Sequence, residues 1–366
     1  MMRNILVAAL ASTALLASPA GAAEATLKLA PIDMEGGGAT LFVTPEGRSL
    51  LIDTGTPSFV ELKSGEQELD GAKNGAERIK ALAKTFGVTK IDYLIITHYH
   101  GDHVGGIFNL LNIMPVGTII DHGPNREITP ADSSPGGRAA GKIPGTVSNY
   151  ARYLEAIKGH KHIVAKPGDV FKIGSLTDTI VASDGQPIAT PLPGAGGPGQ
   201  FCDTPPVAEN GGVENEKSVA SILSFGKVKI ALFGDLTWNR EHDLACPIDK
   251  VGKVNVLIVT HHGMNLSSNP SSIAALRPDI AVMGNGPTHG GAPETIKTIS
   301  SSPGLQGFWR MHGAVLNPEL DGDINFIANP KTPPDHGDTI RLDITKAGAI
   351  TVTNTRNGFA KTYQVK

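Results

Sequence analysis

The sequence predicts an α+β fold, a four-layer αββα sandwich in which two sheets pack face to face between outer helices. Two passages follow the same order of elements, each with a hairpin, a helix and a buried strand that ends in histidine. The two buried strands share a pattern, KIDYLIITH at 90–98 and KVNVLIVTH at 253–261. With 40% hydrophobic and 18% charged residues, the 366-residue chain can bury such a core. The repeat predicts that both halves deliver polar residues to one common rim.

The first unit lies near the start of the chain. Apolar alternation and turn residues predict a hairpin over Ala39–Thr44 and Ser49–Ile52. A helix is expected around Ala76–Thr85, because Gly87 is a typical residue just beyond a helix end. Ile91–Thr97 then predicts a buried strand.

The second unit repeats this order. A hairpin is predicted over Val219–Ser224 and Val228–Phe233, a helix over Trp238–Ala245 and a buried strand over Val254–Thr260. Strands at 338–344 and 349–353 are expected to form the last hairpin.

Long loops rich in glycine and proline are expected, since the chain has 44 glycines and 26 prolines. They concentrate at 121–149 and 183–215. Loops of this length are either functional or disordered, so these are walls of a substrate cleft or surface excursions.

The first 23 residues differ in composition from the rest. Arg3 precedes an apolar run, Ile5–Ala17, and small residues follow at 20–23. This order predicts a secretory signal peptide over 1–23, with an uncleaved anchor as the alternative. Residues 24–366 then form a single domain, secreted and most simply located in a bacterial periplasm.

The two cysteines, Cys202 and Cys246, lie outside any metal-type spacing. An oxidising compartment permits a disulfide between them, and two free buried thiols are the alternative.

Charge and composition limit the partners. The formal charge is −3 and aromatic residues are 5%, so there is no strong nucleic-acid signature. No segment after the signal peptide is long and apolar enough to span a membrane. A small-molecule substrate fits this composition better than a polynucleotide.

A dense run of ligand-type side chains follows the first buried strand. His98, His100, Asp102 and His103 form the pattern H-x-H-x-D-H. Side chains two positions apart in an extended segment point the same way, so His98 and His100 can hold one ion. Asp102 and His103 then face a second ion, and Gly101 permits the tight turn between the pairs. Imidazole and carboxylate suit zinc, iron or manganese, and burying four such groups unpaired would be costly.

With this motif in place, the chain resembles the metallo-β-lactamase-fold hydrolase superfamily from Asp33 to about Gly291. Asp53 in LIDTG matches the family's structural aspartate, and Asp235 in FGDLT matches the carboxylate that bridges both metals. His261 in THHG matches the terminal histidine of the second metal site. Within the superfamily, the hairpins and the HHG segment most resemble the ComEC-type hydrolase domain of competence proteins.

The chain departs from the family pattern before the bridging aspartate. Many members have a further metal-binding histidine there, whereas this chain has NGGVENEKS at 210–218. Asn215 or the two glutamates could substitute, so the resemblance implies a first site with few ligands. His122 and His289 are expected near the same rim, either in the site or as surface histidines.

The adjacent His261 and His262 leave the second site ambiguous. The repeat aligns His261 with His98 at the end of a strand, which favours His261 as the ligand. His262 is then a candidate for holding substrate or moving a proton.

The function implied is that of an exported hydrolase with two divalent metals, zinc being expected and manganese the alternative. A bridging water would be acidified to hydroxide, with Asp102, Asp235 and His262 as the catalytic residues. The ComEC-type resemblance favours a phosphodiester bond. The alternatives are a lactam, lactone or other carboxylic ester or amide, and a non-catalytic binding protein on the same fold.

Overall fold

The computed structural model describes residues 25–57, 74–127, 145–207, 212–314, 317–330 and 337–365. The signal peptide predicted for 1–23 lies outside them. Two β-sheets face each other across a shared core, and helices cover the outer side of each sheet. The predicted four-layer α+β sandwich is thereby confirmed.

The first sheet has nine strands within the described residues. It is parallel from β3 to β6 and antiparallel elsewhere. In spatial order its strands are β18 (Ala360–Gln364), β17 (Ala349–Asn354), β16 (Ile340–Ile344), β1 (Leu27–Pro31), β2 (Thr40–Val43), β3 (Ser49–Ile52), β4 (Ile91–Ile95), β5 (Val116–Asp121) and β6 (Lys161–Val164).

The second sheet is built on the same plan. It is parallel from β11 to β15 and antiparallel from β7 to β11. In spatial order its strands are β15 (Ile327–Asn329), β14 (Gly307–His312), β13 (Ile280–Met283), β12 (Val256–Ile258), β11 (Val228–Leu232), β10 (Ala220–Phe225), β8 (Leu176–Ser183) and β7 (Val170–Ile173), with β9 (Gln186–Pro187) paired to β8.

Helices follow the strands and cover the two outer faces. Those on the first sheet are α1 (Gly75–Thr85), α2 (Gly101–Val104), α3 (Ile107–Ile113) and α4 (Thr146–Ala156). Those on the second sheet are α5 (Trp238–Ala245), α6 (Pro270–Leu276) and α7 (Pro293–Ser300). Short 3₁₀ turns lie at Asn215–Lys217, Thr260–Gly263, Pro318–Leu320 and Ile324–Phe326. Among the described residues, no helix is long and apolar enough to cross a lipid bilayer.

Alternation along the strands explains the layering. Leu50 and Ile52 of β3 face the core between the sheets, whereas Leu51 faces the outer helices. Phe42 of β2 likewise faces inward, and Leu41 faces outward. Because successive side chains of a strand point to opposite faces, an apolar strand can fill two adjacent layers.

Two predicted elements end differently from expectation. The strand expected over Val254–Thr260 is regular only over Val256–Ile258, because the chain turns into a 3₁₀ segment at Thr260. The hairpin of β16 and β17 is not the last element, since β18 adds a further edge strand.

Cys202 and Cys246 form a disulfide, which resolves the alternative that the sequence left open. The glycine- and proline-rich segment around Cys202 runs beside α5. Trp238 Nε1 donates to the carbonyl of Pro205, and the amide of Gly199 donates to that of Pro247. The segment around Cys202 belongs to the cleft wall predicted over 183–215, and it packs on α5. Residues 128–144 and 208–211 of the two predicted walls lie outside the described residues.

A buried carboxyl group interrupts the apolar core. Asp178 of β8 is fully buried on the same face as Leu176 and Ile180. Burial raises the pKa of Asp178 to about 7, although the nearby Ser221 hydroxyl opposes this change. The folded protein therefore holds this proton more tightly than the unfolded chain does.

Replacing Asp178 by asparagine is expected to change how stability depends on pH. The raised pKa makes the free energy of unfolding of the wild type fall between about pH 4 and pH 7 and then level off. The variant has no such titrating group at this position. From pH 5 to pH 8, its free energy of unfolding should therefore rise by about 2 kcal/mol relative to that of the wild type. Thermal or urea unfolding at both pH values measures the gain, with the exposed Asp203→Asn as control. Parallel pH profiles for wild type and Asp178→Asn would contradict this account.

Candidate metal centre

Polar residues follow the carboxyl ends of parallel strands in both sheets. Asp53 follows β3, the HxHxDH segment at 98–103 follows β4, and Asp235 and the pair His261 and His262 follow β11 and β12. Carboxyl ends of neighbouring parallel strands lie at one edge of a sheet. The two edges meet, so both halves of the chain contribute to one cluster.

Asp235 lies at the centre of this cluster. Its Oδ1 is 3.2 Å from Nε2 of His103 and 3.4 Å from Nε2 of His262. Its Oδ2 is 3.4 Å from Nε2 of His261 and 3.8 Å from Nε2 of His98. The two oxygens of one carboxylate therefore face two different pairs of histidines, the arrangement expected of a group that bridges two ions.

One side of the cluster is especially compact. The ligand atoms of Asp102, His103, Asp235 and His262 all lie within 4.8 Å of one another. Nε2 of His103 is 3.0 Å from Nε2 of His262, and Oδ2 of Asp102 is 3.7 Å from the latter. Ligands at ordinary zinc distances in a tetrahedral site lie roughly 3.3 Å apart. These four groups can therefore surround one ion with little movement.

Hydrogen bonds on the far side of the rings orient this pair of histidines. Nδ1 of His103 lies 2.7 Å from Oδ2 of Asp53, and Nδ1 of His262 lies 3.2 Å from the carbonyl oxygen of Gly284. A carboxylate and a carbonyl can only accept, so each Nδ1 carries the hydrogen. In its neutral form each ring presents the Nε2 lone pair to the cluster, as in metal-binding histidines. Without a cation, the nearby carboxylates raise the pKa of both rings.

The other two histidines are oriented in the same way. Nδ1 of His98 is 3.0 Å from Oγ1 of Thr97, whose hydroxyl donates to Asp53. Nδ1 of His261 is 3.1 Å from Oγ of Ser267, whose hydroxyl donates to the carbonyl of Leu236. Each hydroxyl has already used its hydrogen, so it accepts from the ring. Nε2 of His98 and of His261 thereby faces the cluster, and Nε2 of His98 lies 3.0 Å from Nδ1 of His100, the remaining histidine of the motif.

The carboxylates make the compact side strongly anionic. Burial alone would raise the pKa of Asp235, but His103, His261 and His262 hold it well below its usual range. Burial would likewise lower the pKa of His103, but Asp235, Asp53 and Asp102 raise it well above the usual value. The negative charge of these carboxylates raises the pKa of His103. A divalent cation would neutralise the same charge in place of the proton.

Around His98 and His261, on the other side of Asp235, the histidine pKa values are lowered instead of raised. Burial, reinforced by the neighbouring His103, lowers the pKa of His98 well below its usual value. Burial also lowers the pKa of His261 to about 4, although Asp235 opposes this. Both rings are therefore neutral at physiological pH, which is the form that binds a metal.

The residues present fit divalent metal ions. Oδ1 of Asp235 and Oδ1 of Asn215 are buried, and no described residue donates a hydrogen bond to either with good geometry. Buried oxygens are normally satisfied. Imidazole nitrogens, carboxylate oxygens and an amide oxygen are suitable donors for zinc, manganese or iron.

The structure places the two adjacent histidines differently from the expectation that His261 joins Asp102 and His103. His262, and not His261, joins Asp102 and His103, because both members of the pair adopt left-handed backbone with φ of 55° and 54°. The alignment of His261 with His98 assumes an extended strand end, and that assumption fails here. His262 consequently lies among the ligand-type residues instead of standing apart as a proton carrier.

Three other predicted residues lie in or beside the cluster. Asn215 is buried, with its Nδ2 3.4 Å from Nε2 of His261. His289 is exposed at the rim, with its Nε2 4.0 Å from Oδ2 of Asp102. Asp53 contacts Nδ1 of His103, the ring nitrogen that points away from the cluster.

His122 forms a buried pair with Glu214, with its Nε2 2.6 Å from Oε1 of the carboxylate. Glu214 also accepts hydrogen bonds from the amides of Tyr99 and Arg126. Tyr99 lies between His98 and His100, so Glu214 holds that ligand segment and the adjacent Asn215 together. This positioning role of Glu214 was not predicted, because the sequence pattern suggested the two glutamates only as metal ligands. The position of Glu214 next to Asn215 was the available signal.

A glycine segment at 36–38, which was not predicted as part of the site, packs against Asp102 and His103. The amide of Gly38 donates to the carbonyl of Asp102, and a Cβ at Gly38 would lie 2.6 Å from Nδ1 of His103. The run GGG at 36–38 was the available signal. Only glycine permits so close an approach.

Replacing Gly38 by alanine is expected to displace His103 and weaken metal binding on the compact side by about 10- to 100-fold, as for other groups that orient ligands. Zinc per chain after dialysis, measured by mass spectrometry, should fall below the wild-type value. Gly197→Ala is the control, since a Cβ there meets nothing within 4 Å. Wild-type zinc affinity in Gly38→Ala would show that the close approach is unimportant.

Residues 34–202, somewhat less than half of the chain, match the model of the metallo-beta-lactamase superfamily. Lactamase-like protein nscB of Arthroderma otae is 34% identical over 86 residues, 21% of this chain and 25% of that protein. Beta-lactamase-like protein 2 homolog of Caenorhabditis elegans is 32% identical over 80 residues, 22% of each chain. The chain thus spans about a quarter of the length of the curated relatives it matches.

Among solved structures, the metallo-beta-lactamase fold protein YhfI from Bacillus subtilis is similar at 13% identity. The alignment covers 78% of this chain and 96% of that one, with a TM-score of 0.42. The sequence match includes the whole HxHxDH segment. Residues 34–202 are therefore similar to the metallo-beta-lactamase superfamily, and the chain folds as an αββα sandwich with a candidate metal centre at one edge of its sheets.

Proposed function

We propose that the protein is an exported metal-dependent hydrolase that cleaves phosphodiester bonds in small substrates. The observation that supports this most is the convergence of four imidazole Nε2 atoms on the carboxylate of Asp235. Two divalent ions held there, zinc or manganese, would polarise the scissile bond and lower the pKa of a bound water. The superfamily match supports the same class of chemistry.

Some residues of the site orient the metal ligands, and others are exposed to an incoming substrate. Asp53 fixes the ring of His103, and Thr97 fixes that of His98, so both ligands are preorganised. The side chain of Asp102 is one-third exposed and that of His289 nearly half exposed. These two are therefore the ligand-side groups that an incoming substrate reaches first.

The phosphodiester assignment is supported by the resemblance of the hairpins and the HHG segment to ComEC-type hydrolase domains. A small substrate is favoured because the chain has a formal charge of −3 and few aromatic residues. The same centre could open a lactam or lactone or cleave another carboxylic ester or amide, or bind a ligand without catalysis.

Export is supported by two independent features. Residues 1–23 have the composition of a signal peptide. The disulfide between Cys202 and Cys246 is a bond that persists in oxidising compartments such as a periplasm.

The test is hydrolysis by protein reconstituted with zinc or manganese. Bis(p-nitrophenyl) phosphate, a chromogenic cephalosporin and a chromogenic lactone are offered to the same preparation, with and without a chelator. The proposal requires chelator-sensitive cleavage of the phosphodiester, faster than that of the other two. Preferential cleavage of the cephalosporin or the lactone would overturn the bond assignment. Metal-loaded protein that is inactive on all three would favour a binding protein.

A further inference from the structure

The chain carries two consecutive histidines in an unusual backbone conformation. His261 and His262 have φ of 55° and 54°, which non-glycine residues adopt rarely and at a cost of about 1–3 kcal/mol each. Surrounding contacts hold this conformation. The amide of His261 donates to the carbonyl of Gly234, and the amide of Gly291 donates to that of His262.

Two glycines, Gly290 and Gly291, pack against the backbone of His262. A Cβ at Gly290 would lie 2.1 Å from the carbonyl oxygen of His262, so no larger residue could take that place. Backbone strain that surrounding contacts maintain is typical of functional sites, so the left-handed turn at His261 and His262 points to a functional role.

The left-handed turn directs the two imidazoles apart. Consecutive residues of a helical turn point about 100° away from each other. The ring centroids of His261 and His262 are 6.3 Å apart, and the ring planes are inclined by 72°. The two rings consequently reach the two different oxygens of Asp235.

We propose that His261 and His262 serve different metal positions. His261 supplies the imidazole of a position that it shares with His98, His100 and Oδ2 of Asp235, and His262 completes the position of Asp102 and His103. The inference rests on the metal binding in the proposed function and not on the reaction.

Asn215 supports this division. Its Nδ2 lies 3.4 Å from Nε2 of His261, and its buried Oδ1 receives no hydrogen bond from any described residue. The amide nitrogen of Asn215 thus faces His261, and its buried oxygen, which has no donor, is a further group that can bind a cation in this part of the cluster.

The two metal positions then differ in their ligands from what the sequence suggests, namely few ligands beside His98 and His100. With His261, that position has three imidazoles and one carboxylate oxygen, whereas the other has two imidazoles and two carboxylates. Nitrogen-rich donor sets suit zinc and oxygen-rich sets suit manganese. The His98 position is therefore expected to hold zinc at least as tightly as the compact one does.

The experiment counts zinc in the full-length mature protein. Wild type, His261→Asn and His262→Asn are stripped with chelator, reloaded with zinc and dialysed, and zinc per chain is measured by mass spectrometry. Asparagine tolerates left-handed backbone, so the turn should persist. Each single variant should retain one zinc ion where the wild type retains two. Melting temperatures confirm that the variants are folded.

Double variants identify which position each histidine serves. His98→Ala combined with His261→Asn should still retain one ion, because both changes affect the same position. His103→Ala combined with His261→Asn should retain none. The reverse pattern, or a His261→Asn variant that keeps both ions, would overturn the inference. The readout is independent of hydrolysis, so two bound ions without activity would refute the proposed function alone.

Discussion

Replacing Asp235 by asparagine is expected to remove zinc from both positions and to reduce hydrolysis at least about 10²–10³-fold, the range for losing one group that stabilises a transition state. Its two oxygens face separate histidine pairs, so one substitution weakens both positions. Asparagine keeps the shape but removes the charge that attracts the cations. Zinc per chain and the rate on bis(p-nitrophenyl) phosphate are measured on the same preparation.

Asp178→Asn is the matched control, because it neutralises a buried aspartate in the same sheet that lies in the apolar core. It should keep wild-type zinc and rate. An Asp235→Asn protein with full zinc and full rate would contradict the assignment of Asp235 as the central ligand.

Removing the disulfide is expected to have the largest effect on stability. The bond joins residues 44 positions apart, and closing such a loop is worth up to about 4 kcal/mol in the chain-entropy model. For a chain of this size, that corresponds to a fall of roughly 5 °C in melting temperature. Scanning calorimetry of the Cys202→Ser/Cys246→Ser protein, with and without reductant, measures it.

Reductant should lower the melting temperature of the wild type and leave the double variant unchanged. If the wild type melts at the same temperature in reductant, the bond does not contribute to stability.

Much of the fold could be predicted because its signals are local. The strand predicted over Ser49–Ile52 from its apolar residues has the same bounds in the structure. The helix Trp238–Ala245 has the predicted bounds. The position of the HxHxDH segment could be predicted because it directly follows Ile91–Ile95, a mostly apolar and buried strand.

The rest depends on contacts between distant residues. The direction of His261 and His262 is determined by a backbone turn that Gly234 and Gly291 hold from elsewhere in the chain. The pairing of His122 with Glu214 joins residues 92 positions apart. A sequence pattern shows that such side chains exist, but the partner that each one meets depends on how the two sheets pack.

The central claim is that Asp235 lies between two metal positions. Anomalous diffraction at the zinc edge, from crystals of zinc-loaded protein, tests it most directly. Two anomalous peaks should flank the Asp235 carboxylate, one beside His98 and His261 and the other beside His103 and His262. A crystal of zinc-loaded protein without a peak next to Asp235 would contradict the account.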